Sequence, residues 1–266
     1  MQIKEIQVKS CLNKSKLTDY VINPYTGCSH ACTYCYADFI RRFQNIKEKW
    51  GEFVYVKINC VEILKKELEK AKPGHIWMSS VCDCYMPIEE KYKLTRMILE
   101  TILKYGGNKF TIEILTKSAL VKRDFDLLKQ LDAELGMSIN SLNDETSRKL
   151  EPNASSPSER VKTLKDVKDK GIRVFAFISP VIPGITNLEE VFRELSFCDY
   201  AWVEILNIKS YIIERLKPVI KKAFPEKYRE FESGINNYEE FCDKVRKEAR
   251  ELEKRFGLRV EEVVVH

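Results

Sequence analysis

The chain predicts a parallel α/β fold, an open partial (β/α)6 barrel followed by a helical extension. Three observations predict it. Short apolar segments alternate with charged amphipathic ones along most of the 266 residues, the pattern of repeated strand–helix units. Ile172 to Ile178 is apolar without alternation, as strands buried on both faces are. A cysteine-rich loop follows the first apolar segment, and reactive loops in such barrels lie at the C-terminal ends of the strands.

The elements follow in order. Tyr20-Val21-Ile22 is the first strand. Ala37 to Trp50 is helical and Gly51 ends it. Phe53 to Ile58 is a short extra strand or an extended connector, and Asn59 caps a helix from Val61 to Ala71. His75 to Met78 is the next strand, Glu90 to Tyr105 a helix stopped by Gly106-Gly107, and Phe110 to Leu115 a strand. Asp124 to Leu131 is a helix and Glu134 to Ile139 a strand. Ser158 to Lys170 carries Val161, Leu164 and Val167 at helical spacing, and Gly171 closes it. The apolar strand Ile172–Ile178, a helix from Asn187 to Ser196 and a strand from Tyr200 to Leu206 complete the barrel. Tyr211 to His266 is mostly charged helix, ending in a strand at Val263-Val264-Val265. The organisation is therefore an N-terminal arm over 1–17, the barrel over 18–208 and a helical extension over 209–266.

Composition bounds the class. A hydrophobic share of 44% with 32% charged residues is globular, and a chain of this length buries roughly 70–75% of its unfolded surface. No apolar run approaches the roughly 18 residues of a membrane span, and Met1-Gln2-Ile3-Lys4-Glu5 lacks a signal-peptide core. Nine cysteines without an export signal point to a reducing cytoplasm. The net charge of +5 permits a nucleic-acid partner without arguing for one.

The chemistry is concentrated in Cys28, Cys32 and Cys35, spaced C-x3-C-x2-C. Three thiolates so close on one loop suit three irons of a cubane cluster. With no fourth cysteine nearby, one iron keeps an open position, the mark of a catalytic metal centre by analogy with zinc. The competing reading is a zinc site completed by His30 or Cys60, although no second C-x2-C knuckle is present.

C-x3-C-x2-C with the aromatic Tyr34 before the last cysteine resembles the radical S-adenosylmethionine (SAM) superfamily. Asn23-Pro24-Tyr25-Thr26-Gly27-Cys28, Leu94-Thr95-Arg96, Thr116 through Asp124, Leu150-Glu151-Pro152, Glu159-Arg160 and Ser179 through Gly184 resemble its spore photoproduct lyase-like branch, often labelled DNA repair photolyase-like. The resemblance implies a partial (β/α)6 barrel, a [4Fe–4S] cluster, SAM, and an electron donor such as a ferredoxin or flavodoxin. It implies reductive cleavage of SAM to a 5′-deoxyadenosyl radical that takes a hydrogen atom from a substrate, a nucleic acid among the candidates. Under the resemblance Cys28, Cys32 and Cys35 are cluster ligands, and Tyr34, Lys117 and Ser138 contact the cofactor.

Cys82-Asp83-Cys84 departs from the branch, whose relatives usually carry a Thr-Asp-Pro-Tyr-like sequence there. In spore photoproduct lyase a cysteine near the end of this strand donates a hydrogen atom, so Cys82 and Cys84 are candidate donors. Metal binding and simple packing stay open for both. Cys11, Cys60, Cys198 and Cys242 read as buried thiols, and His30 and His75 as local structure. The alternative function is a non-catalytic zinc or iron–sulfur module that recognises nucleic acid or protein.

Overall fold

A computed structural model describes Met1 to His266. The strands are β1 (Gln2–Ile6), β2 (Asn13–Lys14), β3 (Tyr20–Ile22), β4 (Tyr25–Thr26), β5 (Phe53–Lys57), β6 (Gly74–Met78), β7 (Phe110–Thr116), β8 (Asp132–Ser138), β9 (Arg173–Val181), β10 (Tyr200–Ile205) and β11 (Val260–Val264). The fold is mixed α/β with parallel strands, as the alternating pattern predicts. The chain forms two compact units. The first comprises Met1–Ala31, Ala37–Gly136 and Val167–Arg173; the second comprises Cys32–Tyr36, Met137–Asp166 and Val174–His266.

In the first unit β3, β6 and β7 run parallel, with Val21 opposite Trp77 and Ile76 opposite Ile112. A smaller sheet has the order β1-β5-β4, in which β1 and β5 are parallel. Phe53–Lys57 is therefore a paired strand and not a connector. Its partner β1 lies in the stretch expected to be an arm and carries no apolar signal, because nearly all its side chains are exposed.

In the second unit β9, β10 and β11 run parallel. A core of Leu150, Ile182, Leu206, Ile212, Leu216 and Ile220 packs with Cys32 and Tyr34. The helix Ser210–Ala223 supplies the last three of those aliphatic residues, at the spacing of one helix face.

Three expected helices are revised. The one over Ala37–Trp50 ends at Phe43, since Asn45 and Gly51 both take positive φ and turn the chain. The one over Glu90–Tyr105 is split at Lys93, whose φ is 50°. There the buried Glu89 carboxylate accepts the Thr95 N–H at 3.0 Å, capping the second piece in place of helical continuity. The one over Asp124–Leu131 becomes a 3-10 turn over Ala119–Asp124 and a short helix over Phe125–Leu128. A helix at Asp144–Leu150 was not expected; Asn143 caps it by accepting the Thr146 N–H at 2.8 Å.

Cys11 and Cys60, expected as separate buried thiols, are joined in a disulfide. Asn59 precedes the helix Cys60–Lys70 as expected, but its side chain does not cap it. The amide bonds instead to the Val8 N–H and carbonyl, at 2.9 and 3.0 Å. Both links bind the N-terminal stretch to the start of that helix.

Candidate functional site

The cysteine loop passes from the first unit to the second between Ala31 and Cys32. Each half is fixed by a buried carboxylate of its own unit.

In the first unit the approach to the loop is shaped by Gly27, whose φ is +86° and where a Cβ would sit 2.5 Å from the Phe53 carbonyl oxygen. Only glycine meets both conditions without strain. Cys28 is buried, and the Ser29 N–H points to Met86 Sδ at 3.5 Å. His30 is buried, with Nε2 3.1 Å from the Asp83 carboxylate. Asp83 also accepts from the Thr116 hydroxyl and from the Lys117 N–H, both at 2.7 Å, and from the Tyr85 N–H at 2.9 Å. Burial alone would raise this carboxyl. The charge and hydrogen bond of His30, with the bonds from Lys117 and Thr116, outweigh it and hold the group well below the usual carboxylate range.

Asp83 thus joins the cysteine loop, the loop after β6 and the end of β7. It fixes the backbone of Lys117, one of the residues expected at the cofactor. Cys82 and Cys84 flank it. Cys84 is fully buried, with its carbonyl accepting from the Thr95 hydroxyl at 2.6 Å. Cys82 is half-buried, 3.6 Å from both Asn23 Oδ1 and Ser79 Oγ, and burial pushes its thiol up to about 11.

The motif residues Thr95, Arg96, Arg123 and Asp124 converge in the same unit. Tyr25 donates to the Glu89 carboxylate, which pairs with Arg123 at 2.7 Å; Arg123 and Arg96 both reach Asp124. Buried charges satisfied by several partners brace the strand that leads into the loop.

In the second unit Tyr34 donates its hydroxyl to the buried Glu151 carboxylate, and burial followed by that charge raises the phenol well above its ordinary range. Glu151 is paired by Arg160, and both side chains are fully buried. Arg160 in turn donates to the Ser138 carbonyl at 2.8 Å. Glu151 is therefore an anchor as well as the residue that ends the helix Asp144–Leu150. Through Arg160 it joins Tyr34 to Ser138. The loop backbone is held from the extension: Arg215 donates to the Thr33 and Cys35 carbonyls, each at 2.6 Å, and Tyr211 to the Tyr36 carbonyl at 2.9 Å.

Two residues past Ser138, Asn140 is 1% exposed, and neither atom of its amide has a hydrogen-bond partner in the protein. A buried amide without partners is rare and marks a place where a further polar group belongs. Sequence reading passed over Asn140, Asp83 and Arg215. Asp83 lay between two noted cysteines, and the other two had no local signal. Neither proposed fourth zinc ligand is spare, because Cys60 is in the disulfide and His30 faces Asp83.

With this fold and this loop, the family model of the radical SAM superfamily matches residues 22–195. The chain belongs to the radical SAM superfamily and is a radical SAM enzyme. It is 38% identical to an uncharacterized protein of Methanocaldococcus jannaschii over 92% of each chain. It is 24% identical to the radical SAM Nalpha-GlyT isomerase of Pseudomonas phage M6, over 94% of this chain and 53% of that one. The fold is that of spore photoproduct lyase solved with a dinucleoside spore photoproduct: TM-score 0.67 at 17% identity, over 98% of this chain and 82% of that one. The alternative of a non-catalytic module gives way to an enzyme. No helix is long and apolar enough to cross a membrane.

Proposed function

We propose that Cys28, Cys32 and Cys35 hold a [4Fe–4S] cluster with one open iron for SAM, and that the enzyme takes a hydrogen atom from a nucleic-acid substrate. The donor set carries this reading. Three thiols lie within eight positions of one loop, none of them in a disulfide, while the loop is pinned at Thr33 and by Arg215, and just past Cys35 by Tyr211. Such a set fits a cubane cluster that lacks one protein ligand. The chemistry it supplies with SAM is one-electron cleavage of the sulfonium, giving methionine and a 5′-deoxyadenosyl radical.

The chain's own residues bind and orient. Tyr34 is locked by Glu151, and its backbone would serve the adenine of SAM. Lys117, with its backbone held by Asp83, offers an ammonium to the carboxylate of SAM. Ser138 and the unpartnered Asn140 offer polar groups at the end of β8. Cys82 keeps its S–H at neutral pH, since burial raises the thiol. It can therefore give a hydrogen atom, and its part exposure favours it over the fully buried Cys84. Residues 18–208 form the catalytic part, and 209–266 supports the loop through Arg215. A low-potential donor such as a ferredoxin or flavodoxin supplies the electron. That spore photoproduct lyase, which shares this fold, was solved with a dinucleoside spore photoproduct supports a nucleic-acid substrate.

Anaerobic reconstitution tests the reading. About four irons per chain, a brown visible absorption and dithionite-driven 5′-deoxyadenosine are expected. A colourless zinc protein that leaves SAM intact would overturn it.

A further inference from the structure

The β9–β10 pair has two unlike faces. On one, Val174, Ala176, Ile178, Ala201, Val203 and Ile205 are almost completely buried. On the other, the register pairs Phe175 with Tyr200 and Phe177 with Trp202. The first pair is buried and stacked, with ring centroids 5.2 Å apart and planes within 9°. The second pair is only half-buried on both strands. One step nearer the C-terminal ends, Ser179 donates to the Glu204 carboxylate, where the register shifts between Val203 and Ile205. Such a bulge re-aims side chains beside functional sites. Glu204 keeps 16% of its side chain exposed, and His266 Nε2 lies 2.8 Å from its other oxygen. The Ile139 N–H bonds to the Phe177 carbonyl, which sets Ser138 level with Phe177 on this same face.

We infer that Phe177, Trp202 and Glu204 form a recognition site for a nucleobase with an N–H donor edge, guanine above all. Half-exposed aromatic rings on a sheet face are stacking surfaces for bases. A carboxylate accepts from amino and imino groups of a base edge. Glu204 has its orientation set by Ser179 and His266, yet a carboxylate offers about four lone-pair sites, so two remain for the ligand. Guanine presents N1–H and N2–H side by side to that pair. Thymine presents one N–H flanked by two carbonyl oxygens, which meet the carboxylate with like charge. The site lies toward the C-terminal ends of parallel strands, where ligands of α/β sheets bind. This inference deepens the nucleic-acid reading and rests on it for the ligand's class.

The test is a nucleotide titration of the reconstituted protein, followed by calorimetry and by tryptophan fluorescence. Deoxyguanosine monophosphate is expected to bind at least tenfold more tightly than thymidine monophosphate. Glu204→Gln should bring the two within about threefold of each other. Trp202→Leu should weaken both by about tenfold through lost stacking, and Trp202→Phe should restore most of that loss. Equal binding of the two nucleotides by the wild type, or an unchanged ratio in Glu204→Gln, would overturn the inference. Nucleotide binding requires no SAM cleavage, so a protein that fails to cleave SAM while discriminating the two bases would sink the proposed function and leave this site standing.

Discussion

The hydroxyl of Tyr34 donates to the carboxylate of Glu151, 117 positions further along the chain, and Arg160 pairs that carboxylate from a third segment. The residue before the last loop cysteine is thereby tied to a fully buried ion pair. Removing Arg160 as Arg160→Leu leaves Glu151 an uncompensated buried charge. A loss of about 3–5 kcal/mol is expected in urea unfolding. Tyr34→Phe leaves Glu151 with Arg160 and Ser147 and should cost about 1–2 kcal/mol. Equal losses in the two variants would refute the unequal roles.

On the proposed function, Cys28, Cys32 and Cys35 should act as one set. Replacing any of them by Ala should remove the cluster absorption and all 5′-deoxyadenosine formation, because each thiolate serves one iron. Full iron content in a single variant would remove that residue from the ligand set.

Lys117→Ala should leave iron content unchanged and weaken SAM binding by roughly ten- to a hundredfold, the worth of a charge-assisted contact of about 1.5–3 kcal/mol. Asp83 holds the Lys117 backbone, so the substitution takes away the ammonium and not the strand end. An unchanged dissociation constant for SAM would exclude the contact.

The Cys82 thiol is pushed up to about 11 by burial, against an ordinary value of 9.0. Its alkylation by iodoacetamide, followed by peptide mass spectrometry, should therefore stay slow at pH 8 and rise only as the pH approaches 11. Folding stability carries the matching sign. The group binds its proton more tightly when folded, so its contribution is present below pH 9 and is lost as the pH rises from 9 toward 11. Rapid alkylation at pH 7 would show a thiolate, and hydrogen-atom donation by Cys82 would fail.

Gly27→Ala places a Cβ 2.5 Å from the Phe53 carbonyl oxygen at a φ of +86°. Loss of more than about 1 kcal/mol of stability is expected, with reduced iron loading because Cys28 is the next residue. Gly107, also at positive φ but with open space around its Cβ position, is the control: Gly107→Ala should cost less.

The sequence by itself determined the apolar strands and the cysteine loop. Tyr20–Ile22, Phe110–Thr116 and Tyr200–Ile205 follow from apolar runs bounded by turns, and C-x3-C-x2-C is complete within eight residues. Such features are set by neighbours along the chain and need no knowledge of what packs on them. Tertiary structure alone decided the rest. The exposed β1 becomes a strand only because β5 lies beside it, and the helix expected over Glu90–Tyr105 breaks because the buried Glu89 claims the Thr95 N–H. Asp83 and Glu151 became anchors of the loop only when folding brought His30, Lys117, Tyr34 and Arg160 to them. A buried charge must find its partners wherever the fold supplies them, and those partners leave no mark in the local pattern.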